Sequence, residues 1–440
     1  MPRPCRARVS LVAILLCMHA AHAAPGELDA NLAARASRFD GIGIIVGVLD
    51  HGDITIHQAG HLAGAKPLDE NTVFEIGSIT KVFTGTLLAQ MSQAGKIALN
   101  DPIQNYLPPA VTAPTFNGIS IRVINLAEHN SGLPRDGDYS FTDPEAYAHY
   151  NLDRVYGFLA HTKLAAKPGD APVYSNFGAA LLGDLLARRA GVPYQSMLAT
   201  MIFTPLGMTS TDVILTPSMA PRLAPPMSSG GTATESLHSD PALQADGAIL
   251  STLHDMVLFL RANLEAPSGK LGPALQVAQQ PRADLVHGQQ IGLFWLTDTV
   301  QKVTWHNGGT SGYHSFIAFD RAHQRGVVVL SNQTASIDDI GWHILVPEKP
   351  LKSASPVFPL AQSANNSLAG AYQLDDPEKS VLKITAAPHK LDVAAGSFKF
   401  VLLPKSASEF FSDDVHGSFT FTGGKLIITQ PGQPTQTGTR

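Results

Sequence analysis

Hydrophobic and polar residues alternate along the chain in two ways, and the change between them divides the chain into segments. Near the N-terminus, "ELDANLAARASRF" has the spacing of a short helix, and "GIIVGVLDHGDITIHQAG" places two apolar runs on either side of "DHGD". The first stretch predicts a helix and the second a β-hairpin. From Ser78 to about Leu264 the pattern is mostly helical, with interruptions by loops rich in Pro, Gly and Ser.

Strand patterns return at about Gly292. The stretches "GLFWL", "KVTWH", "GYHSFIAFD" and "RGVVVLSNQ" are short, rich in aromatic or β-branched residues and separated by turn residues. A closing helix is predicted for "DIGWHIL". If the early hairpin and these strands share one antiparallel sheet, the middle of the chain is a mostly helical lobe inserted between its halves. The predicted fold class is therefore α+β, an antiparallel sheet flanked by helices.

The last part of the chain differs in composition. Residues 348–367 are rich in Pro, Ser and Ala without a sustained period, which is typical of a linker. Residues 368–440 contain short strand patterns such as "SVLKITAA", "FKFVLLP" and "KLIITQ", and predict a small all-β domain. Residues 24–347 form the predicted main domain.

The first 23 residues have the pattern of a secretory signal peptide. Arg3, Arg6 and Arg8 precede the apolar run "VSLVAILLCM", and "AHA" follows as a small-x-small cleavage pattern. We expect cleavage near Ala23 and a periplasmic or secreted protein. The sequence does not decide whether the leader is retained.

Composition excludes several classes of partner and chemistry. The 440 residues carry a formal net charge of −5 without a block of like charges, so neither a nucleic-acid partner nor stable membrane insertion after cleavage is expected. Small molecules or peptides are the expected partners. The only cysteines, Cys5 and Cys17, lie in the leader, so the mature chain is expected to contain no disulfide, thiolate metal site or cysteine nucleophile.

Ser78 and Lys81 form the first candidate pair, in "FEIGSITKVFTGTLLAQM". Residues three apart on a helix face the same way, so the lysine amine could take the proton of the serine hydroxyl if burial keeps the amine partly neutral. A helix N-terminus beside Ser78 would favour an oxyanion. The alternative is that Ser78 only caps a helix and Lys81 lies on its surface.

Two further stretches carry polar groups of the same kind. In "PVYSNFGAALLGDLLARRAG", Tyr174 and Asn176 precede an amphipathic helix and could relay a proton and hold a substrate amide. In "VTWHNGGTSGYHSFIAFD", a strand ends in His306, Asn307, Gly308 and Gly309, where glycines permit close approach of a substrate. The alternatives are a helix cap in the first case and a hairpin turn with a surface histidine in the second.

Together the three elements resemble the active-site serine hydrolases related to class C β-lactamases and D-alanyl-D-alanine carboxypeptidases. "SITK" stands for S-x-x-K, "YSN" for Y-x-N and "HNG" for the third motif, usually K-T-G in β-lactamases. The motifs are 93 and 130 residues apart, which fits the class C arrangement. The resemblance implies a β-lactamase/transpeptidase-like fold, and the C-terminal domain is similar to small barrel-like appendages on such hydrolases.

The resemblance also implies residue roles. Ser78 would be the nucleophile, Lys81 and Tyr174 would share the general-base and general-acid duty, and Asn176 would bind the substrate amide. The N–H groups of Ser78 and Gly309 would form the oxyanion hole, with Gly308 beside them. No metal or organic cofactor is required. The implied reaction is hydrolysis of an amide or ester through an acyl-enzyme, with β-lactams or D-Ala-D-Ala peptides as substrates.

His306 replaces the lysine typical of β-lactamases and would face the substrate's carboxylate or leaving group. We expect this imidazole to titrate near neutrality, and its presence gives weight to an esterase or a D-amino-acid peptidase. A non-catalytic peptidoglycan- or penicillin-binding protein is the alternative from another class. Motifs for a metallohydrolase such as H-E-x-x-H, and the G-x-S-x-G nucleophile elbow, do not occur. The partner of the all-β domain and the oligomeric state stay open.

Overall fold

The computed structural model describes most of the chain. The described residues are 25–139, 147–170, 172–236, 240–354, 357–376, 379–388, 390–396, 398–413, 415, 417–430 and 434–440. The predicted signal peptide lies outside them. None of the helices in this described part is long and apolar enough to cross a lipid bilayer.

One antiparallel sheet joins the two ends of the main domain. Its eight strands are ordered β2-β1-β12-β11-β10-β9-β8-β7. The hairpin prediction is confirmed, because β1 and β2 pair with Val46 opposite His57, and β1 also pairs with β12, with Val46 opposite Val329. The strands of the main domain are β1 Gly43–Asp50, β2 Asp53–Gly60, β3 Val73–Glu75, β4 Thr115–Phe116, β5 Ile119–Ser120, β6 Leu250–Thr252, β7 Ala283–Asp284, β8 Gln289–Ile291, β9 Leu296–Asp298, β10 Thr304–Gly309, β11 His314–Asp320 and β12 Arg325–Ser331.

Helices cover both faces of this sheet, and the predicted helical insertion between its halves is confirmed. Alternate residues of the central strands enter two separate hydrophobic cores, so that Val329 faces one core and Val328 the other. The helix Asp338–Leu345 confirms the prediction of a closing helix and packs on β11 and β12. The α-helices of this domain are Pro25–Ala36, Thr80–Gln93, Val123–Ala127, Leu152–His161, Asn176–Ala190, Tyr194–Leu198, Thr204–Leu206, Gln244–Gly247, Leu253–Glu265, Gly272–Gln279 and Asp338–Leu345.

The helix Thr80–Gln93, which we call the serine helix, lies in the centre of the main domain. Eleven of its 14 residues are buried, so nearly its whole circumference contacts protein rather than solvent. The helix Asn176–Ala190 packs against it and is also buried over most of its surface. The prediction that this second helix is strongly amphipathic was wrong, because a helix inside a core needs apolar residues all round. It ends before Gly191, whose φ is +72°.

The prediction of a strand at "GLFWL" was also wrong. Residues 292–295 form an irregular segment between β8 and β9, in which Phe294 has a φ of +69°. Its backbone N–H donates to the carbonyl of Ala127 at 3.0 Å, and that of Leu293 donates to Ala278 at 2.8 Å. The apolar side chains are buried, because the segment is packed under helices rather than paired in the sheet.

The C-terminal domain is all β, as predicted. Its strands close into a barrel, with β13 paired to β20. A short helix, Gln362–Leu368, begins in the predicted linker and ends one residue beyond it. The barrel strands are β13 Gly370–Leu374, β14 Val381–Ala387, β15 Lys390–Ala395, β16 Phe398–Pro404, β17 Glu409–Ser412, β18 Gly417–Thr422, β19 Lys425–Thr429 and β20 Gln436–Thr439.

Candidate active site

Ser78 lies in a tight turn between β3 and the serine helix. Residues Gly77–Ile79 form one turn of 3₁₀ helix, and the α-helix follows directly. Gly77 has a φ of +50°, and a Cβ atom there would lie 2.8 Å from the backbone nitrogen of Gly309. Only glycine fits this position. The side chain of Ser78 is half-buried between residues that are fully buried.

Lys81 is completely buried, one helical turn after Ser78. Its Nζ donates to Ser78 Oγ at 3.0 Å, to Asn176 Oδ1 at 2.8 Å and to the backbone carbonyl of Asp246. These three acceptors match the three hydrogens of an ammonium group. The alternative of a surface lysine is therefore wrong, and the structure brings Ser78, Lys81 and Asn176 into direct contact.

Tyr174 and Asn176 approach Lys81 from the start of a second helix. Ser175 caps this helix, since its Oγ accepts from the N–H of Gly178 at 2.8 Å. Asn176 is the first helical residue, and Tyr174, just before the cap, is half-buried with its ring centroid 5.0 Å from Lys81 Nζ. Cap formation thus belongs to Ser175. The two neighbouring side chains both reach the lysine, Asn176 through a hydrogen bond and Tyr174 through its ring.

Strand β10 passes so close to the serine turn that only glycine fits at position 308. A Cβ atom at Gly308 would lie 2.1 Å from the carbonyl oxygen of Ile76 and 2.9 Å from the backbone nitrogen of Ser78. Ser315 on the neighbouring strand holds the same carbonyl, because its Oγ donates to Ile76 O at 2.7 Å. The predicted pairing of Ser78 with the glycine-rich strand end therefore has a packing basis. Gly309 follows at the edge of the turn.

His306 is the predicted site residue that differs most from expectation. It is 2% exposed, and its Nδ1 donates to the carbonyl of Asn307 at 2.6 Å. Burial, together with a smaller effect of the positive charge of Lys81, lowers the pKa of His306 to about 4, against the opposing effect of the hydrogen bond to Asn307. The expectation that this imidazole titrates near neutrality was wrong. At pH 7 position 306 carries no charge, and the alternative of a surface histidine is wrong as well.

Two residues outside the sequence motifs contact Asn176 and Tyr174. Asp136 Oδ1 accepts from Asn176 Nδ2 at 2.7 Å, so the amide of Asn176 is held between a carboxylate and Lys81. His129 is 4% exposed, accepts from the N–H of Ser175 at 3.1 Å and has its ring centroid 4.4 Å from that of Tyr174. Burial, then Lys81, lowers the pKa of His129 well below its ordinary value.

The side chain of Arg135 adds a second cation at Tyr174. Its guanidinium carbon is 5.1 Å from the ring centroid of Tyr174, and its Nε is 3.6 Å from Asp136 Oδ2. The phenol ring therefore contacts one exposed cation and one buried cation. Arg135, Asp136 and His129 all belong to "EHNSGLPRD", so a polar cluster beside a Gly-Leu-Pro turn was the signal that could have identified them.

Asp246 is a fourth residue of the site that the sequence motifs did not indicate. Its backbone carbonyl accepts from Lys81, and its side chain is buried, with Oδ1 accepting from the hydroxyl of Tyr147 at 2.9 Å. Burial raises the pKa of Asp246 to about 7, against an opposing effect of Lys81 and Tyr147. The residue lies in "ADGAILST", where the sequence alone does not reveal that the carboxyl is buried.

An antiparallel sheet beside a helical lobe, with Ser78 and Lys81 at their boundary, defines the β-lactamase/transpeptidase-like fold of the main domain. Solved structures share it: the β-lactamase/D-alanine carboxypeptidase from Pseudomonas syringae superposes with a TM-score of 0.63 at 21% identity, covering 74% of this chain and 100% of that one. The family model described as Beta-lactamase matches residues 28–343. The chain belongs to this family.

Two relatives illustrate the range of the family. The D-alanyl-D-alanine-carboxypeptidase/endopeptidase AmpH of Escherichia coli (strain K12) is 32% identical over 196 residues, which are 44% of this chain and 50% of AmpH. The match thus spans only half the length of that relative. A beta-lactamase of Pseudomonas fluorescens is 25% identical over 350 residues, covering 70% of this chain and 92% of that protein.

Proposed function

We propose that the protein is an exported serine hydrolase that forms an acyl-enzyme on Ser78, with β-lactams or D-Ala-D-Ala-type peptides as substrates. The observation that carries the proposal is the hydrogen bond of 3.0 Å between Ser78 Oγ and the Nζ of the fully buried Lys81. A serine hydroxyl becomes a nucleophile when a positioned base accepts its proton. The names of AmpH and of the P. fluorescens beta-lactamase support these substrate classes.

In the proposed reaction, Ser78 Oγ bonds to the substrate carbonyl carbon while its proton passes to Lys81 or Tyr174. The N–H groups of Ser78 and Gly309 stabilise the oxyanion. The C–N or C–O bond to the leaving group then breaks, and the leaving group takes the proton. Water, deprotonated by the same groups, releases the acyl chain from Ser78. Lys81 must first lose one proton, because all three of its donors are occupied in the resting site.

Asn176 can contact a substrate amide without giving up its present partners. Its Oδ1 accepts from Lys81 and one hydrogen of its Nδ2 is donated to Asp136. An amide side chain has two donor hydrogens and two acceptor lone pairs, so one of each remains. We propose that Asn176 uses these to bind the substrate amide.

A second candidate, an esterase or D-amino-acid peptidase on the same scaffold, is favoured by His306. This residue is buried and neutral at pH 7, so position 306 offers no fixed positive charge to a substrate carboxylate. Substrates that have no carboxylate near position 306 do not need a positive charge there, so the neutral histidine does not weaken their binding. The His306→Lys substitution should improve turnover of nitrocefin relative to a p-nitrophenyl ester, and an unchanged ratio would remove this specificity argument.

The test is covalent labelling followed by kinetics. A fluorophosphonate or a fluorescent penicillin should label the wild type and not Ser78→Ala. Ser92→Ala, in the last turn of the serine helix, is the matched control and should label like the wild type. Rates on nitrocefin, a D-Ala-D-Ala peptide and a p-nitrophenyl ester then rank the substrate classes. A wild type that binds penicillin without a covalent adduct would instead favour a non-catalytic binding protein.

A further inference from the structure

A buried carboxyl group adjoins the catalytic lysine and has no role in the proposed reaction. Asp246 lies in the short helix Gln244–Gly247 and is 2% exposed. Its backbone carbonyl accepts one of the three hydrogen bonds of Lys81. The main chain of this residue therefore positions the amine, and its side chain introduces a titratable group into the same buried region.

The surroundings of this carboxyl group stabilise a negative charge poorly. Within the described part of the chain, Oδ1 accepts one hydrogen bond, from the hydroxyl of Tyr147 at 2.9 Å. Oδ2 is buried and has no hydrogen-bond partner among the described residues. A carboxylate with so few donors loses most of its hydration without replacement. The titratable groups that face it from the elements packed around it are Lys81, Asp136, Tyr139, Tyr147 and Tyr194.

We propose that Asp246 is a positioning residue that controls the proton on Lys81: its ionised form retains the ammonium, and its protonated form allows the amine to become neutral. This inference rests on the proposed function, in which Lys81 accepts the proton of Ser78. Among the titratable groups of the described residues that face Asp246, Lys81 is the only cation. The low dielectric of the buried site strengthens the attraction between the two charges.

The direction of the effect follows from the charges. The pKa of Asp246 is raised to about 7, so the carboxyl is mostly ionised above that pH. In the proposed arrangement the carboxylate of Asp246 attracts the ammonium group of Lys81 and opposes transfer of its proton. Removing the carboxylate removes this opposition. The acidic limb of the activity profile should therefore move to lower pH when Asp246 loses its charge.

The experiment is the pH profile of kcat/KM for a p-nitrophenyl ester, measured from pH 5 to 10 on the full chain. Asp246→Asn keeps an acceptor for Tyr147 and removes the charge, so its acidic limb should move to lower pH by about 1 to 3 units. Asp255→Asn is the matched control. That carboxyl is 1% exposed and accepts from the N–H of Ser210 at 2.7 Å. The Asp255→Asn variant should therefore have a lower kcat/KM or a lower stability, while the acidic limb of its pH profile stays at the wild-type pH.

A second variant keeps the test decisive if Asp246→Asn does not fold. Tyr147→Phe removes the donor to Oδ1 and leaves the carboxyl, so the ionised form becomes less favourable and the limb should move in the same direction by a smaller amount. An active wild type whose limb stays in place in every folded variant would overturn the inference and leave the proposed function intact. A wild type that neither labels at Ser78 nor hydrolyses the ester would overturn the proposed function, and this inference with it.

Discussion

Replacing Gly308 by alanine should separate β10 from the serine turn. The added Cβ would lie 2.1 Å from the carbonyl oxygen of Ile76, 2.7 Å from Ser315 Oγ and 2.9 Å from the nitrogen of Ser78. Contacts under 3.0 Å are essentially never found for real Cβ atoms. The strand would therefore have to move by about 0.9 Å, which is 3.0 Å less the 2.1 Å of the shortest contact.

Two magnitudes follow from this displacement. Inserting one methyl group into a tightly packed region costs about 1 to 3 kcal/mol of unfolding free energy. A misplacement of about 1 Å between reacting groups can lower a rate by about 10²-fold. Because Gly309 continues the same strand, its N–H should leave the position in which it would share an oxyanion with Ser78.

The test measures two quantities, the acylation rate and the free energy of unfolding. The acylation rate is measured with a fluorophosphonate, and urea unfolding is followed by tryptophan fluorescence. All three tryptophans, Trp295, Trp305 and Trp342, lie in the main domain, so the signal does not depend on the barrel.

The control is Gly157→Ala in the helix Leu152–His161, where a Cβ would have no atom within 4 Å. This variant should keep the wild-type rate and gain up to about 1 kcal/mol of stability. If Gly308→Ala acylates at the wild-type rate and unfolds at the wild-type urea concentration, the close approach of β10 is not needed for the site.

Three further outcomes are expected. Lys81→Ala and Tyr174→Phe should each lower the acylation or deacylation rate by about 10² or more, the scale of a lost acid–base group; wild-type rates would show that the proposed roles are wrong. Asp136→Ala should lower kcat/KM for the ester by about tenfold, because Asn176 loses a charged hydrogen-bond partner, and an unchanged value would mean that the amide keeps its orientation alone. Because the folded state lowers the pKa of His306 from 6.5 to about 4, protonation favours the unfolded chain, and stability is lost as the pH falls from about 6.5 towards 4. Urea unfolding at pH 4.5 and 7.5 should show a smaller difference in unfolding free energy for His306→Gln than for the wild type. An equal difference in the two proteins would contradict the lowered pKa of His306.

Local sequence patterns were enough to predict the central strands of the main sheet. The hairpin of β1 and β2 and the three strands β10 to β12 have alternating residues and clear turns, so their local preferences agree with their final state. Residues 292–295 show where this fails. Their aromatic and apolar character predicts burial, and burial was found, but composition does not distinguish a buried strand from an irregular segment packed under helices.

Some residues of the candidate site could be predicted from local sequence, and others could not. Ser78 and Lys81 are three residues apart, and their contact follows from helix geometry. Asp136 and Asp246 reach the same lysine region from 55 and 165 residues further along the chain, and only the packing of separate elements determines that they do so. The neutral state of His306 had the same origin, because its pKa depends on burial that no neighbouring residue in the sequence indicates.

The burial of the serine helix on almost every side has a consequence for how the protein fails. Amides that exchange with solvent only through global opening belong to the most enclosed elements, and this helix is one of them. Heat or mild denaturant should therefore open the periphery of the molecule well before the turn that contains Ser78 is disturbed. Loss of hydrolysis on heating should coincide with cooperative unfolding of the whole main domain. Molecules in which only the periphery has opened should still hydrolyse substrate.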